Sequence, residues 1–333
     1  MTVKIGIVGL GNMGSIHARI LGSQRLLTAV ADLNYERAKQ VASAYRVSAY
    51  DSVDSMLQGT DIDGVIIATP TSTHAQLAIN IARNYDVKGL LIEKPIASSL
   101  REAQEVARVL NGRGIVTIVS HSEIYNPVVD RALMLIKQGA IGVPKTVIHE
   151  RRGFVLPSRI PSLGDVFEDI GVHDFDIMSR ITQGRATLFA LCNKVEEMCN
   201  AATVMVGFEH GTIHVFHLSR QYAGRVRSLD VTGTHGALTI DLFGQILKVQ
   251  DLDQEPLADG RAIRLPERGA TIKVYGEPIQ EVVNDFLRCM TEGCPPRVGL
   301  EDGIRALAVV EAARESIRQG NPVSIEIAPR SQT

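Results

Sequence analysis

Residues 4–14 read KIGIVGLGNMG, and no other stretch limits the fold so tightly. A short apolar run meets Gly9, Gly11 and Gly14, and a helical pattern, SIHARIL (15–21), follows. Read as strand, turn and helix, the spacing gives each glycine its own task. Gly9 permits the tight turn, Gly11 lets the backbone approach a bound group, and Gly14 lets helix and strand pack closely. Asn12 and Met13 open the helix, whose first N–H groups lack intrahelical acceptors and carry partial positive charge. Similar runs recur at LLTAVA (26–31), GVIIA (64–68), GLLIE (89–93) and GIVTIVS (114–120), with helical patterns at 34–45, 74–84 and 100–110 between most of them. Such alternation predicts βαβ units and a parallel sheet. The runs are nearly continuously apolar, as expected of strands covered on both faces.

Beyond residue 121 the pattern changes. A helix is expected through PVVDRALMLIKQG, ending at Gly139. A loop rich in Arg, Pro and Ser (151–165) follows, then a helix over FEDIGVHDFDIM (167–178). From about 186 to 250 the chain reads mostly as strands, with a hairpin turn at EHG (209–211). Two late helices close it, near PIQEVVNDFLRCM and EDGIRALAVVEAARESIRQ, the second stopped by Gly320. The α/β organisation expected is thus an N-terminal Rossmann domain with a parallel sheet (1–121) and a C-terminal α+β domain with a largely antiparallel open sheet (122–333). One face of that second sheet packs on helices. The other meets water or a partner subunit, which predicts a homodimer or homotetramer.

Composition narrows the trade. The chain has 333 residues, 45% apolar and 22% charged, and a formal net charge of −2, so no global field draws it to nucleic acid or an anionic membrane. Aromatics are 5% and Trp is absent, which argues against stacking as the main mode of recognition. Cys192, Cys199, Cys289 and Cys294 form no CxxC and no zinc pattern, and read as reduced thiols of a cytoplasmic protein; no metal is expected. The N-terminal run is read as a strand rather than a signal peptide, and no stretch approaches ~18 uncharged apolar residues.

The chemistry-bearing residues cluster at predicted strand ends. Asp32 stands 18 residues beyond Gly14. There a carboxylate accepts both ribose hydroxyls of an adenosine and repels a 2′-phosphate. The nearest following cation is Arg37, so the pattern favours NAD over NADP. Thr69 and Pro70 (ATPTSTHA) fall at a strand's carboxyl edge, where open α/β sheets bind ligands. His74 begins a helix and reads equally as a cofactor contact or a structural hydrogen bond. Glu93, Lys94 and Pro95 end GLLIEKP at the same edge. A lysine emerging there points into a crevice rather than bulk water, and Pro95 stops the strand. In FEDIGVHDFDIM, at helical periodicity, Asp169, His173, Asp176 and Arg180 share one stripe, with Ile170, Ile177 and Ile181 a quarter turn away. Asp174 falls inside that apolar arc, where nothing in the sequence accounts for it. Gly171 costs a helix ~1 kcal/mol relative to alanine, which implies close backbone approach or tight packing.

Together GxGxxG, TPTSTH (69–74), EKP (93–95), YNP (125–127) and DIGVH (169–173) resemble the Gfo/Idh/MocA family of NAD(P)-dependent oxidoreductases over essentially the whole chain. The resemblance implies redox chemistry at secondary hydroxyls of sugars, inositols or nucleotide sugars. It implies a catalytic group of Lys94, Asp169 and His173, with Tyr125 near the substrate. The residue types suit that chemistry: an imidazole takes the hydroxyl proton, an ammonium stabilises the developing alkoxide, and a carboxylate orients the imidazole. Arg151, Arg152 and Arg159 suit a diphosphate, because guanidinium forks match phosphate oxygens. The run from PSRI into DIGVH also resembles a narrower branch that oxidises C3 of UDP-N-acetylglucosamine. Inositol, polyol or free-sugar dehydrogenation, and a redox-neutral eliminase or glycosidase retaining its NAD, are the alternatives. The segment 217–233 departs from the Pro-containing strand of related nucleotide-sugar enzymes, which leaves Arg220 and Arg225 without an assigned nucleotide contact.

Overall fold

In the computed structural model, which describes residues 3–195, 198–251, 254–256, 262–264 and 269–330, the first apolar run forms β1 (Ile5–Val8), buried along its whole length. The chain continues through α1 (Asn12–Ser23), β2 (Leu27–Ala31), α2 (Tyr35–Tyr45), β3 (Ser48–Tyr50), α3 (Val53–Gly59), β4 (Gly64–Ile67), α4 (Thr71–Asn84), β5 (Gly89–Ile92), α5 (Leu100–Gly112) and β6 (Val116–Val119). Side-chain caps fix where helices begin: Asn34, Ser52 and Ser99 each accept from the N–H three residues on. The six strands are all parallel, in the order β3-β2-β1-β4-β5-β6. This is the doubly wound arrangement with its switch point between β1 and β4. β3 and α3 were not anticipated, because three residues half exposed to solvent carry no apolar run.

The second part opens with a single 3-10 turn (Ser122–Tyr125) and α6 (Pro127–Lys137), which starts at Pro127 under an Asn126 cap and is followed by Gly139 at φ +77°. β7 (Pro144–Phe154) follows, then a 3-10 segment (Pro157–Ser162), a π-helical turn (Phe167–Gly171) and α7 (Val172–Ile181). The strands β8 (Gly184–Val195), β9 (Met198–Phe208), β10 (Ile213–Ser219), β11 (Gln221–Gly233), β12 (Gly236–Asp241) and β13 (Ile246–Asp251) come next. A short ribbon of β14 (Gln254–Pro256) and β15 (Ala262–Arg264) precedes β16 (Gly269–Lys273), α8 (Pro278–Glu292), α9 (Leu300–Gln319) and β17 (Val323–Ile327). Nine strands form one sheet, β16-β13-β12-β11-β7-β10-β9-β8-β17, antiparallel at every pairing except β7 with β10. The fold class expected from the sequence is therefore the one observed.

β7 is a correction. Arg151 to Phe154, read as the start of a loop, lie in a strand flanked on both sides by β10 and β11. Along β10 burial alternates strictly, with His214, Phe216 and Leu218 inside. Phe216 meets Phe175 of α7 edge-on at 5.0 Å and stacks on His149 at 4.2 Å. The opposite face keeps Ile148, Leu191, Met205 and Ile213 exposed.

Contacts group the chain into two units. One takes the chain up to Ser122 together with Glu277–Leu307; the other takes Glu123–Gly276 and the chain from Ala308 on. The second expected domain, 122–333, is thus interrupted: α8 and the start of α9 pack with the parallel sheet. The physical reason is visible at two glycines. A Cβ at Gly64 or Gly89, the first residues of β4 and β5, would come within 2.8 or 2.6 Å of Met290 Sδ. The apolar face of α8, with Val282, Val283 and Phe286 fully buried, belongs to that core.

Candidate functional site

The glycine loop joins β1 to α1 at the carboxyl edge of the parallel sheet. Gly9 has φ +86°, and a Cβ there would meet Ala68 O at 2.7 Å. A Cβ at Gly14 would lie 1.9 Å from Gly9 O, so the close packing is between helix and loop. A Cβ at Gly11 would meet nothing within 4 Å. Gly11 therefore owes its identity to no packing partner inside the protein, and the open space beside it sits at the N-cap of a twelve-residue helix. That combination fits a dinucleotide pyrophosphate. Asn12 and Met13 form the helix's first turn, with Asn12 exposed.

Asp32 directly follows β2, beside this loop. Its Oδ2 accepts from Leu10 N at 2.7 Å and its Oδ1 from Asn34 N at 2.8 Å. A carboxylate has about four lone-pair sites, so it can pin the loop and still receive ribose hydroxyls. Arg37 Nη1 stands 3.6 Å from Oδ2.

Because β1, β4 and β5 are consecutive in the sheet, the glycine loop, Thr69–Pro70 and Glu93–Lys94–Pro95 share one edge. Thr69 lies against Gly9 and accepts a hydrogen bond from Thr73 Oγ1 at 2.7 Å. Glu93 is buried. Its Oε1 is 2.8 Å from His17 Nε2 of α1, and its Oε2 accepts from Lys94 N at 3.3 Å. Burial alone would raise the Glu93 carboxyl; the His17 hydrogen bond and charge outweigh it and hold it below the ordinary value. His74, also buried, has Nδ1 2.8 Å from Pro95 O and Nε2 2.8 Å from Thr69 O. Both ring nitrogens are thus used in stitching two edge loops together. Glu93 and His74, both expected at the cofactor edge, brace the turn that presents Lys94, which is partly exposed and precedes a cis peptide bond to Pro95. His17 carried no signal beyond a place on the buried face of α1.

The second unit carries Asp169 and His173. The expected uniform helix is not what forms. A π turn over Phe167–Gly171 widens the backbone at Asp169, and regular α-helix begins at Val172, one residue before His173. Gly171 is explained by packing: a Cβ there would lie 2.8 Å from Leu218 Cδ1 and 3.2 Å from Phe175 Cε2. Asp169 is mostly buried, and its Oδ2 stands 3.6 Å from Nη1 of Arg220, a fully buried arginine. Arg220 also donates to Gly164 O at 2.8 Å, to Asn200 Oδ1 at 2.6 Å and to Cys199 O at 3.3 Å. Ahead of the turn, Asp165 Oδ1 accepts from Phe167 N and Glu168 N, while Arg314 binds Asp165 Oδ2 at 2.7 Å and Glu168 Oε1 at 2.6 Å. Arg220 sits at the β10–β11 junction, where sequence patterns carry no periodicity to mark it as interior.

Within α7, Asp176 and Arg180 do share one face, as an i,i+4 pair. Asp174 and Asp176 are both buried, and α7 is enclosed on nearly all sides. Asp176 pairs with Arg180 at 3.1 Å. Asp174 pairs with Arg151, whose Nε donates at 2.6 Å. Arg151 in turn donates to Glu123 Oε1 at 2.8 Å, and Arg227 reaches the same oxygen at 3.1 Å. From Asp174 the chain of polar groups continues to His149 (3.7 Å), His214 (3.1 Å) and Thr182 (2.8 Å). Burial would raise the Asp174 carboxyl, but the Arg151 charge and the bonds from His149 and Arg151 bring it down to about 2. Burial pushes His149 and His214 below the ordinary imidazole value, His214 well below. Arg151 is thereby corrected: it is a buried counter-ion of α7, not an exposed fork for diphosphate. Arg152 pairs with Glu150 at 3.1 Å, half-buried, and lies over the Tyr222 ring at 4.6 Å. Arg159 is exposed on the 3-10 segment, and Tyr125 is buried.

Residues 3–121 match the family model of an oxidoreductase family's NAD-binding Rossmann fold (Gfo/Idh/MocA), and residues 134–325 match that family's C-terminal α/β domain. A UDP-N-acetylglucosamine 3-dehydrogenase of Acidithiobacillus ferrooxidans is 29% identical over 74% of this chain and 76% of its own. A myo-inositol 2-dehydrogenase of Thermotoga maritima is 25% identical over 97% of this chain and 99% of its own. Among solved structures, the Acidithiobacillus ferrooxidans enzyme superposes with a TM-score of 0.84 at 24% identity, covering 96% of this chain and 98% of that one. A levoglucosan dehydrogenase in complex with NADH and levoglucosan gives 0.86 at 19% identity, covering 98% and 100%. At such identities these likenesses are of fold.

Proposed function

The chain belongs to the Gfo/Idh/MocA family of NAD-dependent oxidoreductases, and on that premise we propose that it oxidises a secondary ring hydroxyl of a sugar, C3 of UDP-N-acetylglucosamine. The observation that carries the dehydrogenase reading is the shared edge of β1, β4 and β5, where an open glycine cradle, a loop-pinning Asp32 and a braced lysine lie side by side. When bound, NAD would supply the hydride acceptor. Gly9, Gly11, Gly14 and the α1 N-terminus hold its pyrophosphate, and Asp32 takes the ribose hydroxyls. Lys94 stabilises the alkoxide as the hydroxyl proton leaves. His173 takes that proton. Asp169, kept in place by Arg220, orients the reacting hydroxyl and the imidazole.

The nucleotide-sugar substrate is supported by the run from PSRI into DIGVH and by the name of the Acidithiobacillus ferrooxidans relative. The inositol dehydrogenases among the relatives support a second reading, a polyol dehydrogenase. We also propose a cytoplasmic homo-oligomer. The exposed Ile148, Leu191, Met205 and Ile213 on one sheet face support self-association; no helix among the described residues is long and apolar enough to cross a membrane. The test is NADH formation from UDP-N-acetylglucosamine, myo-inositol and free aldoses, with Lys94→Ala and His173→Ala as controls. Turnover of the nucleotide sugar alone, lost in both variants, is expected. Turnover of inositol alone replaces the substrate, and product without NADH accumulation replaces the reaction by a redox-neutral one.

A further inference from the structure

Between Gln221, which pairs with Phe154, and Val226, which pairs with Arg152, β11 leaves the sheet ladder. The residues Tyr222, Ala223, Gly224 and Arg225 loop out opposite the single residue Gly153, and all four are exposed. A bulge of this kind re-aims side chains. Here it carries Arg225 to Phe243, where the guanidinium carbon lies 3.9 Å from the ring centroid; that of Arg227, from the same strand, lies 4.7 Å away. Phe243 is 40% exposed, and its backbone is fixed because Asp241 Oδ1 accepts from Phe243 N and Gly244 N at 3.0 Å each.

We propose that Arg225 and Arg227, braced on the Phe243 ring, bind a phosphate ester group of the substrate. A guanidinium on an aromatic ring spends its face on the ring and leaves its N–H edges directed outward. Two such forks match phosphate oxygens. Charge in the cluster is not balanced. Arg151, Arg225 and Arg227 are three cations, and Glu123 and Asp174, which bind Arg151 and Arg227, are two anions. Arg225 has no carboxylate partner among the described residues. Burial first, then the charges of Arg151 and Arg225, lower Arg227 below the ordinary guanidinium value despite Glu123. An arriving anion relieves that excess. The cluster also belongs with the site: Glu123, Arg151 and Asp174 link Arg227 to the residue following His173, and β11 starts next to Arg220, which holds Asp169.

This placement rests on the nucleotide-sugar reading above, and the test separates the two. UDP, N-acetylglucosamine 1-phosphate and inorganic phosphate are titrated calorimetrically into the NAD-loaded protein, wild type and Arg225→Ala, with melting curves confirming that the variant is folded. UDP is expected to bind in a salt-dependent way, about tenfold to a hundredfold more weakly to Arg225→Ala, the range for losing a charged hydrogen-bonding partner. Phe243→Leu should weaken it less. Binding of the sugar phosphate but not UDP assigns the group to a simple phosphosugar and keeps the site. Absent binding of all three, or equal UDP affinity in wild type and both variants, overturns it. UDP held through Arg225 without NADH formation from UDP-N-acetylglucosamine keeps this site and removes the redox reading. NADH formation with an unchanged KM in Arg225→Ala does the reverse.

Discussion

Replacing Arg220 with methionine should separate positioning from fold in a way no surface change can. The guanidinium is fully buried, meets Asp169 at 3.6 Å and donates to Gly164 O, Asn200 Oδ1 and Cys199 O. Methionine fills much of the volume but takes the guanidinium away from a mostly buried carboxylate and from three oxygen acceptors. Removing one partner of a buried ion pair costs about 3–5 kcal/mol, which for a unit of this size lowers its melting temperature by about 6–20 °C. Asp169→Asn should behave differently. It leaves the other three bonds of Arg220 in place and keeps an oxygen beside the guanidinium, so it should destabilise less than Arg220→Met while kcat falls steeply. The double variant should then show a coupling of about 1–3 kcal/mol, as residues sharing one ion pair do. Arg220→Lys should rescue little, since a point charge cannot serve diverging acceptors as a fork does. Differential scanning calorimetry and steady-state kinetics on the wild type and the four variants read both quantities. Wild-type melting and wild-type kcat in Arg220→Met would refute the reasoning, and strictly additive effects would remove the link to Asp169.

Two glycine variants test the cofactor loop from opposite sides. Gly14→Ala places a methyl where only 1.9 Å separates it from Gly9 O, so the loop must move and NAD affinity should fall about tenfold to a hundredfold, the range for ~1–3 kcal/mol of overpacking. Gly11→Ala meets no protein atom, so its melting temperature without NAD should match wild type while NAD affinity falls; retained affinity in a fluorescence titration would contradict the cradle. Acid stability reads the buried histidines. His149 and His214 lie below the ordinary value of 6.5 when folded, so the unfolded chain binds protons that the folded chain does not, and stability falls as pH drops below about 6.5. Two such groups give a slope of up to about 2.7 kcal/mol per pH unit, and His214→Gln should roughly halve it in a series of melts.

Much of the cofactor edge was legible because its signals are local. A strand, three spaced glycines and Asp32 lie within one βαβ unit, and EKP follows an apolar run that declares its own carboxyl end. Arg151 was misread for the opposite reason. Its partners Glu123 and Asp174 lie 28 and 23 residues away along the chain, and a charged residue inside a central strand resembles a loop until they are known. The same pairing accounts for Asp174, which broke the apolar arc of α7. Asp176 follows with Arg180: a helix buried all round carries its acids inside as ion pairs, so a polar stripe does not imply a solvent-facing one. The π turn left no periodic trace, because one added residue shifts the helical phase within a few positions. The sequence order also hid that residues 277–307 pack with the first unit, since compactness follows the apolar face of α8 and not chain position.

The most direct test of the account follows the hydride itself. UDP-N-acetylglucosamine carrying deuterium at C3 is incubated with the enzyme and NAD, and the reduced cofactor is weighed by mass spectrometry. Proposed oxidation at C3 predicts singly deuterated NADH together with the 3-keto nucleotide sugar, and neither product with Lys94→Ala. Undeuterated NADH would place the oxidised carbon elsewhere, and no NADH at all, with deuterated myo-inositol yielding it instead, would contradict the central claim.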